Sequence, residues 1–128
     1  MGEIILDSSV VIAFLNSSDK HHSAARSAIE GSTSNFKISI ITVSEALVKA
    51  SGHSEKRKRE LLSDLSAAFS PFYPFDLDVA VLAASVRAKS ELRLPDAIIS
   101  ATATINRAEL WSCDARLAKN HKRARLIA

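Results

Sequence analysis

Short apolar runs along the chain separate longer segments in which apolar residues recur every three or four positions. The runs predict strands from Glu3 to Asp7, Phe36 to Ile40, Glu109 to Ser112 and Arg125 to Ile127. In the first run the apolar residues are contiguous rather than alternating, which is typical of a strand buried on both faces. A fifth candidate, from Phe72 to Phe75, contains Pro74, which would keep it short or at a sheet edge.

The periodic segments predict helices that begin near Ser8, Lys20, Thr42, Ser54, Leu77, Pro95 and Ala115. Gly31 is expected to end the second of these helices in a left-handed conformation. The alternation of strands and helices predicts a three-layer α/β/α fold with a mainly parallel central sheet. The length suits a single domain over residues 1–128.

Composition supports a folded chain, with 47% apolar and 24% charged residues. The net charge of +3 is unevenly distributed, since one basic block comprises Lys56, Arg57, Lys58 and Arg59 and other cations crowd the carboxyl end. Such a surface could contact the phosphates of RNA, or it could be a solvated helix face. His53 and His121 also lie in basic surroundings, where they could contact phosphate or simply face solvent.

The sequence favours a cytoplasmic protein without a membrane partner. No basic stretch followed by an apolar one marks a secretory signal, and no run approaches the ~20 apolar residues that span a bilayer. The single cysteine, Cys113, excludes an internal disulfide and suits a reducing compartment.

Acidic residues occupy four places where an apolar run gives way to a predicted helix start: Asp7, Glu45, Asp96 and Asp114. Each could simply stabilise a helix. Asp7 and Asp114 could be caps, Thr42 and Glu45 could form a capping box, and Asp96 could favour the helix dipole. However, such positions can converge at one edge of a parallel sheet, where four carboxylates would require a hard divalent cation such as Mg²⁺ or Mn²⁺.

The segments around these acids resemble the PIN-domain nucleases, and most closely the VapC toxins of bacterial and archaeal toxin–antitoxin pairs. The resemblance lies in residues 4–13 (IILDSSVVIA), 41–47 (ITVSEAL), 94–103 (LPDAIISATA) and 110–114 (LWSCD), which match in order and separation. It implies that Asp7, Glu45, Asp96 and Asp114 bind metal and catalyse, with Ser9 and Ser112 supporting them. The family more often has threonine at positions 8 and 112, and often glycine in the turn occupied here by Asn106, Arg107 and Ala108.

The resemblance also implies an activity and partners. The activity would be Mg²⁺- or Mn²⁺-dependent endoribonuclease cleavage by a metal-activated water, with a second ion, if present, stabilising the leaving 3′ oxygen. The products would carry 5′-phosphate and 3′-hydroxyl ends. The expected partners are a small cognate antitoxin and a second copy of the chain, and the antitoxin could bind the helices from Lys20 to Glu30 and Thr42 to Phe69.

Four other functions can be compared with the sequence. A catalytically idle PIN-like domain could serve as an RNA-binding or protein-interaction module. The paired His21 and His22 could bind a transition metal, but no third ligand has suitable spacing. A phosphotransferase of the haloacid dehalogenase type would need a second aspartate where Ser9 stands, and a dinucleotide-binding fold would need a glycine-rich turn that the chain lacks.

Overall fold

The computed structural model describes residues 2–52 and 54–128 and contains alternating strands and helices. In chain order these are β1 (Glu3–Leu6), α1 (Ser8–Leu15), α2 (His22–Glu30), β2 (Asn35–Lys37), α3 (Ile40–Ser51), α4 (Glu55–Phe69), α5 (Leu77–Lys89), α6 (Leu94–Ile105), β3 (Glu109–Ser112), α7 (Ala115–Lys119) and β4 (Ala124–Leu126). His53, a candidate phosphate contact, lies outside the described residues.

The strands form one sheet in the order β2-β1-β3-β4, and each neighbouring pair is parallel. β1 and β3 occupy the centre and pair with Ile5 opposite Leu110 and Leu6 opposite Trp111. The carboxyl ends of β1 and β3 therefore lie side by side, and Asp7 N donates to the Trp111 carbonyl at 3.1 Å. This register brings the segments after the two strands together.

Alternate residues of the central strands face two separate apolar cores. Ile4, Leu6 and Trp111 pack with buried residues of α1, α2, α3 and α4. Ile5 and Leu110 face the opposite side and pack with α6 and α7, while α5 packs against the outer side of α6. Burial on both faces explains the contiguous apolar run of β1. The structure confirms the predicted three-layer α/β/α fold and its parallel sheet.

Two predicted element boundaries are wrong around Ser39. β2 ends at Lys37 rather than Ile40, because the Ser39 side chain caps α3 by accepting from Ile41 N at 3.2 Å. Thr42 therefore lies inside α3 and does not start it, so Thr42 and Glu45 do not form a capping box. The candidate strand from Phe72 to Phe75 is reduced to a single bridge between Ser39 and Tyr73.

Gly31 ends α2 without the expected left-handed conformation, since its φ is −82°. A Cβ atom at this position would lie 2.9 Å from the Ser27 carbonyl oxygen, so the requirement for glycine is one of space. α2 also begins later than predicted, at His22 rather than Lys20, because Asp19 accepts from His21 N in a preceding turn. Within the described ranges no helix combines the length and apolarity needed to cross a membrane.

Candidate active site

Asp7 is the most deeply placed acid of the four and immediately follows β1. It has extended backbone geometry and caps α1, because its Oδ1 atom accepts from Val10 N at 3.1 Å. Its side chain is buried, with 2% exposure, beneath the junction of β1 and β3. The capping role that the sequence suggested is therefore real, but it engages only one of the two carboxylate oxygens.

Two serine hydroxyls complete the environment of Asp7. Ser9 Oγ donates to Oδ1 and Ser112 Oγ donates to Oδ2, each at 2.5 Å. Both hydroxyls also accept backbone amides at 2.9 Å, Ser9 from Cys113 N and Ser112 from Asp114 N. Because each hydroxyl has a single proton and gives it to Asp7, this network fixes the carboxylate and joins the end of β1 to the end of β3.

Burial makes the charged form of Asp7 costly. It raises the pKa of Asp7 from 3.8 to about 6, against the lowering effect of the hydrogen bonds from Ser112, Ser9 and Val10. The negative charge of Asp96 raises the pKa of Asp7 slightly further. Three donors thus do not fully compensate the loss of water around this carboxylate, and a nearby cation would stabilise its charged form.

Glu45 lies in the second turn of α3 and points toward the start of α1. Ser8 Oγ donates to Glu45 Oε1, and Ser8 Oγ also lies 3.4 Å from Thr42 Oγ1. A cavity of about 330 Å³ lies beside these residues and is lined partly by the apolar side chains of Ile12, Ile41 and Val48. Ser8 was not assigned a role from the sequence, although its position next to Asp7 in a run of two serines was a usable signal.

Asp96 occupies the first turn of α6, where its side chain is 15% exposed. Burial raises its pKa, Arg93 at 3.8 Å opposes that effect, and the charges of Asp114 and Glu45 add to it. Arg116 also lowers the pKa of Asp96. The two arginines are site neighbours that sequence reasoning missed, although each lies within three residues of an acid.

Asp114 follows β3 and caps α7, with Oδ1 accepting from Arg116 N at 2.9 Å. Its own amide donates to Ser112 Oγ, which links it to Asp7 through a single hydroxyl. The carboxyl ends of β1 and β3, together with the second turn of α3 and the first turn of α6, thus bring Asp7, Glu45, Asp96 and Asp114 to one edge of the sheet. Within the described ranges, no three Asp, Glu, His or Cys side chains stand close enough to hold a metal ion as they are.

The basic block lies in the first turns of α4 and is not joined to the four acids by any described contact. Lys58 pairs with Glu55 at 3.0 Å and Arg57 pairs with Glu60 at 3.6 Å, all on the same helix. Lys56 and Arg59 are exposed. About half of the block's positive charge is therefore offset locally, which favours a solvated helix face.

The histidines and the cysteine outside the four acids have contacts or burial that belong to the fold. His22 Nδ1 lies 2.8 Å from the Ala13 carbonyl oxygen, which places this ring against the end of α1. Burial and the Asp7 charge raise the pKa of the Cys113 thiol to about 11, so Cys113 is a neutral side chain beside the site. His121 contacts Ser100 on α6 at 2.7 Å.

Comparison with known proteins identifies the family. Residues 4–122 match the PIN domain, which covers most of the chain. Among solved structures, a toxin–antitoxin complex from Klebsiella pneumoniae is 29% identical with a TM-score of 0.77 and 98% of both chains covered. FitAcB from Neisseria gonorrhoeae is 22% identical with a TM-score of 0.74 and 91% of both chains covered.

VapC20 from Mycobacterium tuberculosis, described as a toxin that cleaves the sarcin–ricin loop, shares the fold at 16% identity. Its TM-score is 0.75, and 91% of this chain and 93% of that chain are covered. Sequence comparison finds no significant match to a functionally curated protein. The parallel sheet, the four acids at its edge and the match over residues 4–122 lead to one conclusion: the chain belongs to the PIN-domain family.

Proposed function

We propose that this protein is a VapC-type toxin that cleaves RNA with Mg²⁺ or Mn²⁺ held by Asp7, Glu45, Asp96 and Asp114. The observation that supports the proposal most strongly is the electrostatic coupling of the acids at one sheet edge. Asp96 interacts with Asp7, Glu45 and Asp114, and burial makes the Asp7 charge costly without a cation. Cytoplasmic location is part of the proposal, because cellular RNA is made there.

The residues at the site fit a hard divalent cation. All four candidate ligands are carboxylates, and oxygen donors are the ligands that Mg²⁺ and Mn²⁺ prefer. Asp7 is held rigidly by Ser9, Ser112 and Val10, while the other three acids are only partly buried. We therefore expect Asp7 to anchor the ion and the more exposed carboxylates to adjust around it, which agrees with the separation of the acids in this structure.

In the proposed mechanism Asp7, Glu45, Asp96 and Asp114 would hold the ion, which would supply activation of a water and stabilisation of negative charge on the leaving oxygen. Ser9 and Ser112 keep both oxygens of Asp7 oriented. Ser8 holds Glu45 toward the same edge of the sheet. Arg93 and Arg116, which interact with Asp96, are placed to attract the RNA backbone toward the acids.

The proposal is tested by cleavage of a panel of structured RNAs with Mg²⁺, with Mn²⁺ or with EDTA. The parent protein should cut at least one RNA only when a divalent ion is present. Asp96→Asn should slow that cutting roughly 100- to 1,000-fold, whereas Asp64→Asn, which removes an exposed carboxylate on α4, should not. Cutting that persists in EDTA, or that continues at the parent rate in the Asp96→Asn protein, would exclude the metal mechanism.

A catalytically idle RNA-binding or protein-interaction module is the second candidate, and the separation of the four acids is the observation that favours it. Such a module would bind RNA or protein and leave every RNA in the panel intact under all three conditions. Binding of Mn²⁺ to the parent protein but not to Asp7→Asn, measured by calorimetry, would weigh against this reading.

A small antitoxin is the proposed protein partner, in line with the toxin–antitoxin complexes among the similar structures. The surfaces proposed for it are α2 and the region from α3 to α4, including the partly apolar cavity beside Glu45. Co-expression with the product of a neighbouring small gene should give a complex that no longer cuts RNA. A product that neither binds nor inhibits would contradict the toxin assignment.

A homodimer is also proposed, and exposed apolar side chains on α5 and at the start of α6 offer a surface for it. Leu77, Val81 and Leu94 are 77%, 63% and 52% exposed. Light scattering should give twice the monomer mass for the parent protein and a smaller mass for Val81→Glu. Exposed Val48 on α3 provides the control, Val48→Glu, which should leave the mass unchanged.

A further inference from the structure

A second cavity, of about 470 Å³, lies on the α6 side of the sheet and includes none of the four acids. We call it the α6–α7 cavity. Its walls are one side of α6, Val86 of α5 and the loop of residues 120–123 between α7 and β4. Its volume falls within the range of small-molecule sites and is large enough for a nucleotide.

Two helices, α6 and α7, run from the acids toward the α6–α7 cavity. Asp96 lies in the first turn of α6 and Asp114 caps α7, so both helices begin at the acidic edge of the sheet. Arg107 follows the end of α6 and Asn120 follows the end of α7, and both of these residues line the cavity. A strand that leaves the acids between α6 and α7 would therefore reach the cavity.

The side of α6 that lines the cavity also carries Asp96. Ser100 is four residues after Asp96 and Thr104 is four residues after Ser100, which is the spacing of residues on one helix face. At 1.5 Å per residue, the path from Asp96 to Thr104 is about 12 Å along the helix axis. This length corresponds to a few nucleotides of single-stranded RNA.

The cavity combines exposed cations with an apolar wall. Arg107, Lys122 and Arg123 line it, and in the described ranges none of the three forms a salt bridge. Arg123 Nη1 donates to the Arg107 carbonyl at 2.9 Å, which fixes one guanidinium at the edge of the cavity. Val86, which is partly buried, supplies apolar surface. This pairing suits a ligand with a flat base and a charged phosphate.

A hydrogen bond holds the loop that forms one wall. Ser100 Oγ lies 2.7 Å from His121 Nδ1, which ties residues 120–123 to α6. Burial, and to a lesser extent Arg123, lower the pKa of His121, so the ring is neutral at physiological pH. A neutral imidazole leaves Lys122 and Arg123 as the charged groups of the loop.

We propose that the α6–α7 cavity binds a nucleotide of the RNA strand whose scissile phosphate lies at the four acids. The base would pack against Val86, and Lys122 and Arg123 would contact the adjoining phosphates. The inference rests on the proposed nuclease function, since the path between α6 and α7 begins at the acids. RNA is favoured over an acidic peptide because apolar surface beside cations suits a base joined to a phosphate.

The test compares Lys122→Ala/Arg123→Ala with Lys20→Ala/Arg26→Ala, which removes the same two residue types from exposed positions in and before α2. Fluorescence anisotropy in EDTA measures binding of labelled RNA strands of about three and about twelve nucleotides. The first pair should weaken binding of the longer strand about tenfold. It should also make the slope of log affinity against log salt shallower by about 1.4, the value for two lost phosphate contacts on a single strand.

A second variant tests the cavity without changing charge. Thr104 is exposed and lines the cavity, so Thr104→Trp should fill it and weaken binding of the longer strand. Thr104→Val removes the hydroxyl at nearly constant size and is the control. Thermal melting identifies any variant that fails to fold. If either Thr104→Trp or the Lys122→Ala/Arg123→Ala protein fails to fold, the remaining one tests the proposal.

The outcomes separate this inference from the nuclease proposal. Loss of affinity for the longer strand alone, with the control pair unchanged, supports the cavity as an RNA subsite. Equal binding of the longer strand by both double variants and by Thr104→Trp overturns it, even if the parent protein cuts RNA. Binding of inorganic phosphate or a mononucleotide that depends on Lys122 and Arg123, without an effect on RNA, also overturns it and marks a small-anion site.

Discussion

The two ends of α6 differ in charge, burial and energetic cost. At its first turn, Asp96 is partly buried and interacts electrostatically with three other acids. Asp114 and Glu45 raise the pKa of Asp96, and Asp96 raises the pKa of Asp7. Beyond its last turn, Arg107 is exposed and lies near Lys122 and Arg123. The helix dipole favours negative charge at the first end and positive charge at the second. Only the acidic end, however, carries a cost that a bound cation would remove.

This difference shows which charges need a functional explanation. Exposed cations at a helix end cost little and add at most about 1 kcal/mol of stability through the dipole. Buried like charges destabilise the fold unless something compensates them. The acidic end therefore predicts large effects on activity and on pH-dependent stability, whereas the cationic end predicts small effects that are confined to RNA binding.

The largest effect is expected when the charge at the acidic end is removed. Asp96→Asn keeps the size of the side chain and removes a proposed metal ligand, so the rate of RNA cleavage should fall roughly 100- to 1,000-fold. Initial rates on an RNA that the parent protein cuts would measure this. Asp78→Asn, in the first turn of α5, is a matched control because it also removes an acid from a helix start. Equal losses in both proteins would mean that the acidic end has no special role.

The second effect is on stability and depends on pH. Because the pKa of Asp7 is raised from 3.8 to about 6, the folded protein holds the Asp7 proton more tightly than the unfolded chain. Stability from this group is complete below pH 4 and is lost as the pH rises through 6, by roughly 3 kcal/mol in total. In EDTA, Asp7→Asn should therefore gain stability relative to the parent between pH 4 and pH 8.

Denaturant unfolding at the two pH values measures this gain. The Asp7→Asn amide can still accept from Ser9 and Val10, and Ser112 can turn its proton toward the Asp114 carbonyl, which lies 3.4 Å away. Asp64→Asn should show no such pH dependence, because Asp64 is exposed. A relative stability of Asp7→Asn that does not change with pH would contradict the account of Asp7 as a buried, costly charge.

A smaller effect is expected from the hydroxyl that supports Asp7. Ser112→Ala removes one of the three donors to the carboxylate, which should destabilise the protein by about 1–3 kcal/mol at pH 8 and by less at pH 4. The pKa of Asp7 should rise further, because the lost hydrogen bond is one that lowers it. Ser112→Thr keeps the hydroxyl and should behave much more like the parent protein. Equal behaviour of the alanine and threonine variants would exclude a supporting role for the hydroxyl.

The smallest effect belongs to the cationic end. Arg107 has a positive φ of 54°, a conformation that asparagine tolerates better than most side chains. Arg107→Asn should therefore change the free energy of unfolding by less than about 0.5 kcal/mol and make the salt dependence of RNA binding shallower by about 0.7. A large loss of stability would show that Arg107 has a structural role.

Much of the fold could be predicted from the sequence because the central strands and α6 are apolar on both sides. Such runs can only be buried between two layers, and the pattern predicts β3 with its observed boundaries and α7 with its observed start. The start of α3 could not be predicted, because Ser39 and Thr42 are both good caps and only the backbone path decides between them. The bridge from Tyr73 to Ser39 depends on contacts between distant segments and has no local signal.

The candidate site, like the fold, could be predicted from the sequence only in part. The positions of Asp7, Glu45, Asp96 and Asp114 at strand ends and helix starts were visible in the sequence, and so was the helix-stabilising alternative for each. The hydrogen bond from Ser8 to Glu45 and the effect of Arg93 and Arg116 on Asp96 required the packing of α1, α3, α6 and α7. The α6–α7 cavity lies between elements that are distant in sequence. The sequence therefore indicated only that cations crowd the carboxyl end, and not that they line a cavity.

The central claim is that the four acids act together to cut RNA, and sequencing of RNA ends in cells tests it most directly. Brief induction of the parent protein, with Asp7→Asn as the control, should produce new 5′-phosphate ends at a small number of recurring positions in one class of RNA. These ends should be absent with Asp7→Asn at equal protein level. The same ends in both samples, or no new ends with the parent protein, would contradict the account.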